Sequence, residues 1–178
     1  MSYGYGLRGV VPGLCVVLCS VALALGQVAP EGAAVAQPQS GTEVEAERAL
    51  GQLLYVPAYS HIYYYNDKRP YLLAVTLSIR NTDVKQPLRL TSVRYVDSHG
   101  VLVQEHITQP VRLGPLASTK FFIPQRDTSG GAGAAFLVEW QAEKATLEPI
   151  VEAVMVGISG TQAISFVRPA KVLRTKRP

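Results

Sequence analysis

Cysteine is almost absent from this sequence of 178 residues, and its two cysteines, Cys15 and Cys19, both lie near the amino terminus. They fall within an apolar run from Val10 to Leu25 that has the character of a cleavable leader. If that leader is removed, the remaining chain contains no thiol. Disulfide bonds, a Cys-x-x-Cys redox pair and a thiolate metal site are then excluded, and the stability of the domain depends on its apolar core.

Charge is also scarce at the amino terminus, where Arg8 is the only charged residue among the first 30. A basic residue followed by a short apolar stretch is typical of a secretory signal peptide. A membrane-spanning helix needs about 20 apolar residues, whereas this stretch is shorter and contains Pro12 and Gly13. We therefore predict a signal peptide over residues 1–26, with cleavage possible as late as residue 36. We expect no stable membrane span after cleavage, and a periplasmic or secreted location in a bacterial cell envelope.

Catalytic motifs are also missing from the sequence. The Gly-x-Ser-x-Gly, Ser-x-x-Lys and His-Glu-x-x-His patterns of common hydrolases do not occur. The glycine-rich segment 127–133 lacks the lysine and the following helix of a phosphate-binding loop. It is predicted to be a sharp, mobile connection with a glycine at positive φ. The protein is therefore predicted not to be an enzyme, and no cofactor is predicted.

Basic residues are concentrated at the carboxyl terminus, whereas the chain between Arg8 and this tail is slightly acidic. Five basic residues lie within the last 11 positions, namely Arg168, Lys171, Arg174, Lys176 and Arg177. We expect residues 169–178 to form a frayed, solvated tail, with contact to an anionic lipid surface as the alternative. Because no basic stripe follows the body of the chain, nucleic-acid binding is not predicted.

The body of the chain has the two-residue periodicity of β-strands. Residues 27–52 carry few large side chains and are predicted to be a flexible linker, with at most a short helical turn over 43–50. The predicted domain covers residues 53–168. Its predicted strands are 71–80, 88–96, 101–107, 111–113, 119–123, 134–141, 149–158 and 164–167.

These strands and the turns between them define the expected fold. The alternation slips between Leu90 and Val93, which predicts a β-bulge. The turn residues 97–100 predict a hairpin of the strands on either side. Without a convincing amphipathic helix, the fold class is all-β. We predict an antiparallel β-sandwich, immunoglobulin-like in plan, with a small β-barrel as the alternative.

Four segments of the chain are similar to successive blocks of one protein family. They are LYVPAYSHIY at 54–63, LSIRNTD at 77–83, GGAGAAFLVEW at 130–140 and PIVEAVM at 149–155. In this order they resemble an exported bacterial family known as domain of unknown function 3124, over about residues 53–173. The resemblance implies export and a single domain, and it assigns no role to any residue.

Tyrosine is unevenly distributed, since six of the nine tyrosines lie between Tyr55 and Tyr71. Adjacent residues of a strand face opposite sides, so at least one of the consecutive residues Tyr63 to Tyr65 must be exposed or at an edge. Exposed tyrosines are large, rigid and polar at the tip, which suits binding, although tyrosine also suits half-buried strand positions. We predict a non-enzymatic binding or scaffold module for an envelope protein, a peptide or a glycan, with the Tyr59–Tyr71 segment as its binding surface and the 127–133 loop as a second surface. The candidate binding residues are Tyr59, His61, Tyr63, Tyr65 and Asp67.

The three histidines offer an alternative function. His99 and His106 are predicted to lie near each other across the hairpin, where Asp97 or Glu105 could add a carboxylate ligand for zinc or copper. A small periplasmic metal-binding protein that uses these histidines or His61 is therefore the alternative. Because their spacing matches no metal-binding signature, no metal ligand is assigned.

One charge interrupts an apolar segment. Glu152 lies within 149–158, which is otherwise apolar on both faces, as in a central strand. A buried carboxylate needs a partner, and a structural ion pair is predicted. The candidate partners are Arg80, Arg94 and Arg112.

Overall fold

The computed structural model describes residues 46–64 and 66–178, so the predicted signal peptide lies outside the described residues. Within them the chain forms β-strands and no helix, which confirms the all-β prediction. The strands are β1 (Arg48–Pro57), β2 (His61–Tyr64), β3 (Asn66–Leu72), β4 (Ala74–Arg80), β5 (Leu88–Val96), β6 (Leu102–Glu105), β7 (Val111–Leu113), β8 (Ser118–Ile123), β9 (Ala135–Leu147), β10 (Ile150–Ser159), β11 (Gln162–Pro169) and β12 (Lys171–Lys176).

The strands form two open antiparallel sheets. One has the order β12-β1-β9-β5-β6, with β7 also paired to β5, and the other has the order β11-β10-β4-β8. Neither sheet closes on itself, which confirms the sandwich rather than the barrel. Strands β2 and β3 pair only with each other, as a separate hairpin.

The core lies between the two sheets and follows the predicted alternation. Val75, Leu77 and Ile79 of β4 are fully buried, whereas Thr76 and Ser78 between them are half-buried on the outer face. The largest buried side chains opposite them are Trp140, Tyr95 and Phe136. Burial of each large apolar side chain contributes about 1.5–3 kcal/mol, so this alternation determines which face of each strand points inward.

Several predicted elements agree with the structure in detail. Strands β5 and β7 have the predicted bounds, and β5 pairs with β6 as the predicted hairpin. The register between β5 and β9 shifts between Leu90 and Ser92, which confirms the predicted bulge. A bulge inserts one extra residue and so reverses the parity of the side chains, which explains the slip in the sequence pattern.

The chain departs from the predicted boundaries at both ends of the domain. Strand β1 begins at Arg48, within the predicted linker and in place of the expected helical turn. Its first residues were missed because Ala49 and Gly51 are buried small residues at a register shift and give no alternation of large side chains. The expected frayed tail is also wrong, since residues 171–176 form β12, which pairs with β1. An edge strand is held by backbone hydrogen bonds along one side, so charged side chains do not prevent its formation.

A buried carboxylate ties the beginning of β1 to the end of β9. Asp83 is 2% exposed, and one of its oxygens accepts from Arg48 Nη1 at 2.8 Å and from Thr146 Oγ1 at 3.0 Å. Backbone N–H groups also donate to this carboxylate, from Lys85, Gln86 and Leu147. Desolvation raises the pKa of Asp83, but the hydrogen bonds outweigh it, so the pKa lies well below its ordinary value. The ionised carboxylate therefore stabilises the folded chain.

Candidate functional site

The tyrosine-rich hairpin of β2 and β3 is anchored at its base. Ser60 is fully buried, and its backbone N–H and its hydroxyl both donate to the carbonyl of Gly131, at 3.1 and 3.0 Å. The carbonyl of Ser60 accepts from the N–H of Leu73 at 2.9 Å. The hairpin is thus fixed to the glycine-rich loop on one side and to the start of β4 on the other.

One face of β2 carries a hydrogen-bonded pair of His61 and Tyr63. Their rings meet edge to face with centroids 5.2 Å apart, and the Tyr63 hydroxyl lies 3.2 Å from His61 Nε2. His61 Nδ1 lies 3.2 Å from Ser60 Oγ, whose single proton is donated to Gly131. In a neutral imidazole one nitrogen donates and the other accepts, so the His61 ring links Ser60 to Tyr63. The oxygen of Tyr63 can still accept a hydrogen bond from a ligand.

The opposite face of the hairpin borders an aromatic groove. The rings of Tyr64 and Tyr71 meet edge to face with centroids 5.9 Å apart. The hydroxyl of Tyr71 lies 3.2 Å from the carbonyl of Gly157 and 3.0 Å from that of Gln162, which joins the hairpin to β10 and β11. The groove has a volume of about 550 Å³ and is lined by Ile62, Tyr64, Tyr71, Thr161, Gln162, Ala163 and Ile164.

A glycine of β10 permits this close approach of the hairpin. A Cβ atom on Gly157 would lie 2.4 Å from Cε1 of Tyr71 and 2.8 Å from the carbonyl oxygen of Leu72. Contacts this short are not tolerated, so any side chain at position 157 would push Tyr71 away from β10. Gly157 therefore sets the position of one wall of the groove.

The predicted binding residues do not all come together. His61 and Tyr63 are in contact, and Asp67 is exposed near the end of the hairpin, where β2 and β3 lose their register. Tyr59 is half-buried at the base, with its ring 6.5 Å from that of Phe166. Tyr65 lies outside the described residues.

The predicted segment Tyr59–Tyr71 contains one wall of the groove, but the groove itself was not predicted. Tyr64 and Tyr71 were not among the named candidates, of which His61 and Tyr63 lie on the other face. The facing side chains from 161–164 are about 100 residues away in the sequence. Only the strand-parity rule could have indicated Tyr64, since Ile62 and Tyr64 must share one face.

The glycine-rich loop, the second predicted surface, is a packed connection. Two of its glycine N–H groups are occupied, since Gly131 donates to the carbonyl of Thr128 at 3.1 Å and Gly133 donates to Ser98 Oγ at 2.8 Å. The predicted positive φ occurs at Gly131. Gly130 lies against the hydroxyl of the buried Tyr95, and burial, followed by the charge of Asp127, raises the pKa of Tyr95 to about 12.

The two hairpin histidines have different surroundings. The side chain of His99 is 85% exposed in the turn, beside Asp97. His106 lies between the rings of Phe121 and Phe136, each with a centroid distance of 5.5 Å. Burial lowers the pKa of His106, and the charge of Glu105 opposes this in part. Residues 46–64 and 66–178 contain no cluster of three or more potential metal ligands.

The predicted ion pair of Glu152 is not formed with the described residues. Glu152 is half-buried in β10, opposite Ser78 of β4 and Pro169 of β11. This position lies on the outer face of the sheet, where water can solvate the carboxylate. The prediction was wrong because an apolar strand was interpreted as buried on both faces.

The fold and site define a two-sheet antiparallel β-sandwich with a separate, exposed tyrosine hairpin. The chain belongs to the family described as protein of unknown function (DUF3124), whose family model matches residues 51–173. No curated protein matches the chain. Among solved structures it is similar to the crystal structure of Thermotoga maritima 1070, with 11% identity and a TM-score of 0.40 over 67% of this chain and 92% of that chain. No helix in the described part of the chain could span a membrane.

Proposed function

We propose that this protein is a non-enzymatic binding module of the bacterial cell envelope, and that it takes up an extended peptide in the aromatic groove. The observation that carries the proposal is the exposure of Tyr64, which is 55% accessible although its ring packs against Tyr71 in a groove. Large rigid aromatic side chains provide contact area at a low cost in conformational entropy. The envelope location follows from the predicted signal peptide.

The position of the groove favours a peptide over a glycan. Residues 162–164 belong to β11, which is the edge strand of its sheet. An edge strand carries unpaired backbone N–H and carbonyl groups, to which an extended peptide can add as a further strand. The aromatic side chains beside that edge would then receive one apolar side chain of the peptide. A segment of another envelope protein has this chemistry.

Two tyrosines of the same strand allow a matched test. Tyr63 is 51% and Tyr64 is 55% exposed, but only Tyr64 lines the groove. We would titrate the ¹⁵N-labelled full chain with extended hexapeptides that carry one leucine or phenylalanine, and with chitooligosaccharides. We expect the hexapeptides to shift the amide signals of residues 62–64 and 161–164. Tyr64→Ala should weaken this binding about tenfold or more, the range found for aromatic anchors, whereas Tyr63→Ala should leave it within about twofold.

Three other results would count against the proposal. Shifts caused only by the oligosaccharides would make the ligand a glycan. Equal losses in the two alanine variants would show that the groove is not the site. Shifts confined to residues outside the groove would place binding elsewhere on the molecule.

A further inference from the structure

The carboxyl-terminal strand β12 is an ordered, basic edge of the sandwich. Residues 168–178 contain five basic residues and no acidic residue. Lys171, Arg174 and Lys176 of this strand are all exposed, and none of them forms a salt bridge with the described residues. Their backbone is held by β1, so the sheet sets the Cα positions of these three residues and the face on which each side chain lies.

A bulge places these three cations on one face. Lys171 lies opposite Tyr55, Arg174 opposite Leu53 and Lys176 opposite Gly51, and the register shifts between Leu53 and Leu54. Without this shift, strict alternation would put Lys171 and Arg174 on opposite faces. Leu53 and Tyr55 are half-buried and alternate with the buried residues 52, 54 and 56, and Gly51 has the same parity as Leu53 and Tyr55. All three cations therefore share the outer face of the sheet.

The same face contains a hollow beside two of the cations. It has a volume of about 370 Å³, and its wall includes Arg174, Lys176 and Gln141. Gly51 forms its floor. A Cβ atom on Gly51 would come within 2.6 Å of the carbonyl oxygen of Trp140, so the backbone leaves no room for a side chain there. The one acidic residue in the wall, Glu139, lies 3.5 Å from Arg94, which offsets its charge.

We propose that this face of β12 docks on the surface of an anionic phospholipid bilayer, with a phosphate headgroup in the hollow over Gly51. The charge of the face is complementary to that surface, and the hollow provides cationic and amide donors for phosphate oxygens. Leu173, the bulged residue between the cations, is 51% exposed and supplies an apolar contact at the interface. This docking is independent of the peptide groove and would hold the module at the membrane.

Cations on an edge strand also discourage pairing with other sheets. Protection of the edge requires only positive charge along the strand. It does not require that the three cations share one face or lie beside the hollow. The two roles therefore differ in what the loss of the cations would do. Loss of edge protection produces dimers or aggregates, whereas loss of lipid docking reduces membrane partitioning of a monomer.

The test compares two triple variants of equal net charge in the full chain. Lys171→Gln, Arg174→Gln and Lys176→Gln remove the face, and Lys85→Gln, Lys120→Gln and Lys144→Gln remove three exposed cations elsewhere. Partitioning is measured by flotation with phosphatidylcholine vesicles, with and without phosphatidylglycerol. For each variant, the partition constant on vesicles with phosphatidylglycerol is divided by the constant on vesicles without it. The apolar leader is the same in every variant, so this ratio measures the preference for anionic lipid.

We expect the wild-type chain to prefer the phosphatidylglycerol vesicles. In the β12 variant the ratio of the two partition constants should fall about fivefold for each cation removed. The control variant should keep the wild-type ratio. Inorganic phosphate, compared with chloride at equal ionic strength, is the free-anion probe and should not compete. Absence of a phosphatidylglycerol preference, equal losses in the two variants, or complete competition by inorganic phosphate would each overturn the proposal. Aggregation of the β12 variant with unchanged lipid preference would show edge protection instead.

Discussion

The corner around Asp83 and the hairpin of β2 and β3 use polar and aromatic groups in opposite ways. At the corner a charged side chain is removed from water, and its oxygens accept several hydrogen bonds from three parts of the chain. On the hairpin, two of the largest side chains of the strand, Tyr63 and Tyr64, remain half exposed. The hydrogen bonds of the corner are made within the described residues, whereas the hairpin leaves aromatic surface exposed to solvent.

This difference separates stability from recognition. A buried polar group with all its partners contributes to folding, and loss of one partner leaves the others unsatisfied. An exposed aromatic ring contributes little to folding, since its area is not removed from water. Substitutions at the corner should therefore change stability, and substitutions on the hairpin should change binding.

Asp83→Ala should have the largest effect on stability. The substitution leaves the N–H groups of Lys85, Gln86 and Leu147 and the hydroxyl of Thr146 without their acceptor. We expect the free energy of unfolding to fall by about 3 kcal/mol or more. Urea denaturation followed by the fluorescence of the buried Trp140 measures this change.

Asp67→Ala is the matched control for this substitution. Asp67 is an exposed carboxylate on the hairpin, so its removal should change the free energy of unfolding by less than about 0.5 kcal/mol. Similar losses in the two variants would remove the distinction between the corner and the hairpin.

Gly157→Ala should have an intermediate effect and should connect the two regions. The new methyl group would collide with Tyr71 and with the backbone of Leu72, and overpacking of this kind costs about 1–3 kcal/mol. The displacement of Tyr71 should also weaken peptide binding in the groove. Urea denaturation and the hexapeptide titration measure the two effects.

Gly114→Ala serves as the control, because no atom lies within 4 Å of the position its Cβ would occupy. It should leave both stability and binding nearly unchanged. If Gly157→Ala destabilised the chain without any change in binding, the position of Tyr71 would have no part in peptide binding.

The smallest effect is expected from His106, a half-buried side chain whose buried Nε2 has no hydrogen-bond partner among the described residues. Burial lowers the pKa of His106 in the folded state, whereas the pKa of a histidine in the unfolded chain is near 6.5. Below about pH 6.5 the unfolded state therefore binds more protons, and stability falls as the pH falls.

Urea midpoints at pH 7 and pH 5 test this sign. The midpoint of the wild-type chain should fall more over this interval than that of His106→Leu, which cannot titrate. His61 and His99 are present in both proteins, so the difference isolates His106. A larger fall in the leucine variant would contradict the assigned direction of the pKa shift.

Local pattern was sufficient where a strand has one buried and one exposed face. For β4 and β5, the alternation and its slip at Leu90 predicted the strands, the inward residues and the bulge, because each follows from the side-chain parity of one segment. Parity was less useful on β2, where both faces are partly exposed. The pattern indicated the segment that contains Tyr64, but not the groove, because its other wall comes from residues 161–164.

The ends of the domain show the same division. Residues 48–52 and 171–176 have no strong strand pattern, and each is ordered by backbone pairing with a partner more than 80 residues away in the sequence. The common face of Lys171, Arg174 and Lys176 depends on a bulge that appears only when β12 meets β1.

The sequence by itself determined that the described domain is all-β, which strands form its centre and which of their side chains point inward, because these properties depend on the local alternation of apolar and polar residues. Only the tertiary structure decided which tyrosines line a groove, which charges are satisfied and which face the basic tail presents. Those properties depend on contacts between distant segments, and a single strand pattern carries no information about its neighbours.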